Sequence, residues 1–357
     1  MSQTASNPFN IYETTPLRSD EVTYAVIQSK LNIYDPAKAE RQIRENLDRM
    51  LWLADQAQYW DLRRDIKKDI LIFHEFPLQG FHIAGSREEE LRVAIDVPGS
   101  ETEAIGKKAK QLNCYIAFGC YGKLKDWPGH FIDLGILINP KGEIILQNWK
   151  PRQLSGLAFS TSTYDVLDRY VEMYGWDAVF PVARTDIGNI AFHPCVYEFE
   201  IARALALKGA EVFIRLMTIG SGYWTRTPLP ALRGGPIHNL RLDFQAACQA
   251  NMVYGVFVNN AASGHEALGD WAAGASAIID HDGHIMSEAL STHETMVINA
   301  LPLAAFRKKH QLPNLPLALF SDMHKRYEPK IAPNGLLKYL PKDQADAIAY
   351  FKGLMKK

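Results

Sequence analysis

The chain has 357 residues, with 39 Lys and Arg against 40 Asp and Glu, 47% hydrophobic and 22% charged residues, the composition of a globular protein with a sizeable core. Disordered, collagen-like and disulfide-scaffold classes are excluded, and a formal net charge of -1 gives no bulk attraction to nucleic acid or to an acidic membrane. No apolar run has membrane-spanning length, Met1 to Asn10 lack a signal-peptide pattern, and Cys114, Cys120, Cys195 and Cys248 have neither CxxC nor zinc-type spacing; we expect a cytoplasmic protein with free thiols.

In chain order, Thr23 to Gln28 reads as a strand. After Asp35-Pro36, the apolar residues Ile43, Leu47, Met50, Leu51 and Ala54 recur at helical spacing. Asp69 to Phe73 is the next strand, Ser100 with Glu103 suggests a capping box for a helix through Leu112, and Cys114 to Cys120 is again a strand. Phe131 to Ile138 and Glu143 to Gln147 flank the turn residues Asn139-Pro140-Lys141-Gly142 and predict a hairpin. In the second half, strand Asn189 to Phe192 leads through Cys195 to a helix from Phe199 to Lys208 closed by Gly209, followed by strand Val212 to Leu216. A helix around Leu240 to Asn251 precedes strand Tyr254 to Asn259, and Ala275 to Ile279 pairs with His284 to Glu288 across Asp280-His281-Asp282-Gly283. Strands and helices alternate with hairpins between them, which predicts a layered α/β domain with mixed sheets. One domain is expected over 1–300, and a C-terminal extension over 301–357 that wraps the domain or a partner subunit.

Chemistry concentrates at three strand ends. Glu75 lies just past an apolar strand, Lys150 just past another, and Cys195 between a strand and a helix, where helix N-terminal amides lower a thiol pKa. A carboxylate can take the thiol proton and later activate water, while an ammonium stabilises a tetrahedral oxyanion. His74 and His193 are the histidines nearest these positions, and Trp149, Tyr223 and Trp224 are candidates for an acyl pocket or for packing. Asp280-His281-Asp282-Gly283-His284 lacks the spacing of a calcium loop or a zinc helix and reads as a turn, and Arg233-Gly234-Gly235-Pro236 lacks the GK[ST] of a phosphate loop.

These motifs resemble the nitrilase superfamily of carbon-nitrogen hydrolases, whose catalytic Glu, Lys and Cys occur in this order. HEFPLQGF at 74–81 is similar to the family's glutamate block, INPKGEIILQNWKPR at 138–152 to its lysine block, and TDIGNIAFHPCVYEFEIARALALKGAEVFIR at 185–215 to its nucleophile block. The resemblance covers most of 20–300 and implies a four-layer α-β-β-α sandwich, a homodimer or higher homo-oligomer, a small-molecule substrate and no cofactor or metal. It implies a catalytic Glu75, Lys150 and Cys195, with Glu172, Val196, Tyr197 and His193 as substrate-contacting residues.

Two departures stand out. The segment Cys195-Val196-Tyr197-Glu198-Phe199-Glu200 is shorter than the family pattern: counting back from Glu200 without a gap puts His193 at the nucleophile position, whereas counting forward from Gly188 selects Cys195, the better acyl nucleophile. Ala158 stands where family amidases carry a second glutamate, a role open to Glu172 or Asp165. Cys195-Val196-Tyr197 in place of Cys-Trp-Glu favours an amide over a nitrile, and Ile201 to Arg215 is most similar to the aliphatic amidase and formamidase branch. An N-carbamoyl substrate, a nitrile, or a catalytically impaired ligand-binding homologue are the alternatives.

Overall fold

The computed structural model describes residues 12–32, 35–59, 66–80, 85–153, 159–194, 198–218, 236–262, 274–310, 312 and 315–355, with the backbone alone for 236–240. Strand β1, Val22–Gln28, is buried along its length. Asp35 then caps a short 3-10 turn by accepting a hydrogen bond from the Ala37 amide, and the chain enters helix α1, Ala39–Tyr59, which buries Ile43, Met50, Ala54 and Ala57 as one stripe. There follow β2 (Ile70–Phe73), α2 (Arg87–Val93), β3 (Ile95–Asp96), α3 (Ser100–Leu112) and β4 (Tyr115–Lys123). The hairpin comprises β5 (Ile132–Ile138) and β6 (Ile144–Trp149), its turn closed by the Asn139 amide donating to the Glu143 carbonyl at 2.9 Å. Then come α4 (Leu167–Tyr174), β7 (Ala183–Thr185), β8 (Gly188–Phe192), α5 (Phe199–Leu207), β9 (Val212–Leu216), α6 (Pro236–Asn251) and β10 (Tyr254–Val258). The described chain finishes with β11 (Ala277–Ile279), β12 (Ile285–Glu288), β13 (Thr295–Leu301), α7 (Leu303–Lys309), α8 (Leu317–Arg326) and α9 (Gln344–Leu354).

The strands form two mixed sheets, one ordered β13-β1-β2-β4-β5-β6 with β3 beside β4, the other β12-β11-β10-β9-β8-β7. Their inner faces make one apolar layer, in which Val26, Ile72, Ala117 and Leu137 of the first sheet share a core with Ile190, Val212, Ile214 and Val256 of the second. The outer face of the first sheet packs Phe73, Ile116 and Ile136 against Met50 and Ala54 of α1 and Ile105 and Ala109 of α3. Phe213 and Phe257 on the outer face of the second pack against Leu205 of α5 and Phe244 of α6. Alternation along each strand thus yields the expected four-layer α-β-β-α sandwich. Among the described residues no helix is long and apolar enough to cross a membrane.

Two details differ from the sequence reading. The start of α3 is closed by the Thr102 hydroxyl, which accepts from the Gly99 amide and donates to the Gly99 carbonyl, both at 2.9 Å, instead of by a Ser100–Glu103 box. Edge strand β13, which lies antiparallel to β1 over its whole length, had no counterpart among the expected strands. Beyond it the chain returns to its own domain, for Leu336, Ala347 and Phe351 join the core of the first sheet's outer face. Buried Arg87 anchors this return by donating to the carbonyls of Pro341, Gly129 and Phe159.

Candidate active site

The C-terminal ends of β2, β6, β8 and β9 converge on one side of the sandwich, where sites of open α/β folds gather. Glu75 stands in the turn after β2, and its backbone amide donates to the carbonyl of Met217, just past β9, at 3.4 Å, so its position is tied to both sheets. Gly119 of β4 allows this approach: a Cβ there would lie 2.4 Å from the Glu75 carbonyl oxygen. Lys150 follows β6, its backbone amide donating to the Asp133 carbonyl at 3.0 Å and its own carbonyl accepting from the Thr163 amide. On β5, Asp133, Gly135 and Leu137 face the inner layer, and the absent side chain of Gly135 makes room for the Phe192 ring, which a Cβ would meet at 2.9 Å.

These placements bring three charged side chains together. Lys150 Nζ donates to Glu75 Oε1 at 3.0 Å and to Asp133 Oδ2 at 2.8 Å. The Glu75, Asp133 and Lys150 side chains keep only 10, 8 and 13% of their exposure, so the ammonium is what makes two buried carboxyls tolerable. Burial raises the Glu75 carboxyl to about 8; Lys150 opposes the rise and Asp133, facing it within hydrogen-bonding reach, adds to it. A cavity of about 40 Å³ opens between the sheets, lined among the described residues by Glu75, Asp133, Asn148 and Lys150 on one side and Phe192, His193 and Leu216 on the other.

His193 belongs to a second cluster. Arg215 on β9 is fully buried and donates to His193 Nδ1 from Nε at 3.2 Å and Nη2 at 2.9 Å, while its Nη1 donates to Asp243 Oδ2 on α6 at 2.8 Å. Burial and the neighbouring guanidinium hold the imidazole well below its ordinary pKa, so it is neutral at pH 7. The ring packs against Phe213 and Phe244. His74 is likewise neutral, its pKa lowered to about 3 by burial, and its Nδ1 accepts from the Phe76 amide at 3.2 Å.

The predicted Glu75 and Lys150 therefore meet, and His193 forms part of the same cavity wall. Cys195, Val196 and Tyr197 lie outside the described residues, as do Ala158, Tyr223, Trp224 and the 233–235 segment. Glu172 is solvent-exposed on α4 and is not brought to the cavity, because that face of the short helix is turned outward. Asp165 is buried, but its carboxylate accepts from the amide and hydroxyl of Ser162 and serves the local turn. Trp149 packs edge-on against Trp127 and Tyr170 within the core. Asp280 Oδ1 accepts from the amides of Asp282 and His284, a turn that uses its carboxylate internally. Sequence reasoning missed Asp133; its one signal was a lone acid inside the apolar run Phe131 to Ile138.

The family model described as carbon-nitrogen hydrolase matches residues 24–311. A formamidase of Helicobacter acinonychis is 29% identical over 170 residues, covering 44% of this chain and 42% of its own length. A Bacillus cereus formamidase is 28% identical over 165 residues with the same coverage, so the chain spans under half the length of the curated relatives it matches. Among solved structures, a carbon-nitrogen hydrolase from Helicobacter pylori superposes with a TM-score of 0.64 at 15% identity, covering 86% of this chain and 99% of the other. Saccharomyces cerevisiae Nit3 gives 0.61 at 15% over 88% and 100%, and an amidase from Nesterenkonia sp. 0.56 at 13% over 87% and 100%. At such identities the structural likeness speaks for the fold.

Proposed function

Because the chain belongs to the carbon-nitrogen hydrolase family of the nitrilase superfamily, we propose that it is a cysteine-dependent amidase that hydrolyses a small amide to a carboxylic acid and ammonia or an amine. The observation that carries the reading is the buried Glu75–Lys150 pair at adjoining strand ends on the wall of a cavity. The formamidase relatives support an amide as substrate class.

In this mechanism the Glu75 carboxylate takes the Sγ proton of Cys195, and the thiolate attacks the amide carbonyl carbon. The Lys150 ammonium and the backbone N–H of Val196 stabilise the oxyanion. Glu75 then gives its proton to the leaving nitrogen as the C–N bond breaks, leaving a thioester on Cys195. Water, deprotonated by Glu75, attacks the thioester; the C–S bond breaks, the thiol regains a proton and the acid leaves. Every step uses side chains, backbone and water. Buried free thiols at Cys114, Cys120 and Cys248 suit the reducing cytoplasm proposed as its compartment, and a homo-oligomer is the proposed assembly.

The test is ammonia release from short aliphatic amides, aryl amides, N-carbamoyl compounds and nitriles. Turnover confined to amides supports the reading; turnover of nitriles alone, or ligand binding without turnover, overturns it.

A further inference from the structure

Asp133 has no part in the steps above, yet it is the acid nearer to the ammonium: its Oδ2 lies 2.8 Å from Lys150 Nζ, against 3.0 Å for Glu75 Oε1. It occupies the inner face of β5, where its neighbours on the same side are Gly135 and the core residue Leu137. An acid there is costly unless something pairs with it. Two features fix the pairing independently, the side-chain ion pair and the backbone bond from the Lys150 amide to the Asp133 carbonyl. Moving the Lys150 backbone away from Asp133 would require opening the β5–β6 edge.

With both carboxyls ionised, Glu75, Asp133 and Lys150 together carry one surplus negative charge in a site nearly closed to water; with one proton on the carboxyl pair they are neutral. We infer that Asp133 is a positioning residue that holds Lys150 in place and keeps that proton on Glu75, thereby setting the pH at which Glu75 becomes available as a base. Among the described residues, the groups facing Glu75 include Lys150 after β6, Asp133 on β5, Tyr121 on β4 and the neutral His193 after β8. Of these, Asp133 is the anion whose removal lets Glu75 ionise more readily, and the raised carboxyl of Glu75 agrees with this arrangement. No new bond-making step is involved; what is assigned is the carboxyl that carries the proton and the group that anchors the cation.

The kinetic arm of the test rests on the amidase reading, whereas a titration arm does not. Full-length protein labelled with 13C at the glutamate carboxyl is titrated by NMR, with the Glu75 resonance identified by its loss in Glu75→Gln. In Asp133→Asn the Glu75 midpoint is expected to fall by about one pH unit or more, and Asp133→Glu, which keeps the charge, to restore part of the rise. On an amide substrate, the acid limb of the kcat/KM profile moves down by the same amount in Asp133→Asn. An unchanged Glu75 midpoint in folded Asp133→Asn overturns the inference. Should that variant not fold, Asp133→Ser replaces it; in the wild type alone, a Glu75 that titrates in the ordinary carboxylate range also overturns it. A shifted NMR midpoint in a protein that turns over no amide sustains the role of Asp133 and defeats the amidase reading instead.

Discussion

The two sheets each bring one buried charged cluster to the cavity, and the clusters differ in what their protons can do. In the first, one ammonium serves two carboxyls, and the Glu75 proton is brought into a range where it can be exchanged near neutral pH. In the second, one guanidinium serves one carboxylate, Asp243, and the imidazole beside it is kept neutral. Burial sets both directions: it raises the Glu75 carboxyl, with Asp133 adding to the rise, and it lowers the His193 imidazole, with Arg215 adding to the fall. The first cluster is therefore suited to acid–base chemistry and the second to holding up the wall behind it.

Lys150→Met strands two buried carboxyls. Amide turnover is expected to fall by about 10²- to 10³-fold and stability at neutral pH by about 3–5 kcal/mol; steady-state kinetics and urea midpoints check both. Near-normal turnover would mean that the ammonium has no part in catalysis. Arg215→Met strands Asp243 in the same way, with an expected loss of about 3 kcal/mol, but the acid limb of its rate profile should stay at the wild-type pH. If that limb moves, the second cluster is not inert.

A smaller perturbation probes how Glu75 is seated. In Gly119→Ala the new methyl must displace the Glu75 backbone, because its Cβ would lie 2.4 Å from the carbonyl oxygen and 2.7 Å from the Cα. A loss of about 1–3 kcal/mol is expected, with a fall in kcat; a stable, fully active variant would show that the turn after β2 is free to move.

The most graded effect is in pH. Burial lowers the folded pKa of His74 from 6.5 to about 3, and His193 also lies well below its ordinary value. Their contribution to stability is full above 6.5 and lost as pH falls below it, somewhat under about 1 kcal/mol for each histidine between pH 7 and 6. Glu75 acts oppositely: raised to about 8 by burial, it stabilises the fold fully below the ordinary carboxylate range, and that stability is lost as pH rises through about 8. Urea midpoints across this range should show an alkaline decline in the wild type that Glu75→Gln lacks.

Glu75 and Lys150 were legible in the sequence because each stands just past a predicted strand, and strand ends are where such a fold exposes function. Asp133 was not, because nothing local says which side chain an acid within a strand will meet; only the antiparallel register, with Leu134 opposite Trp149, sets it against Lys150. Strand β13 was missed for a related reason. Its partner β1 is at the other end of the chain, and Asn299 interrupts its apolar pattern just before Pro302. At the start of α3, Ser100 and Glu103 had the right spacing for a box, but Gly99 takes the cap position and Thr102 the reciprocal bonds.

The nucleophile is tested most directly by incubating wild type and Cys195→Ala with a short amide, measuring ammonia, and mapping any acyl adduct by mass spectrometry of acid-quenched protein. The expected result is ammonia release and an adduct on Cys195 in the wild type, with neither in a folded Cys195→Ala. Sustained turnover in Cys195→Ala, or an adduct on His193, would contradict the assignment.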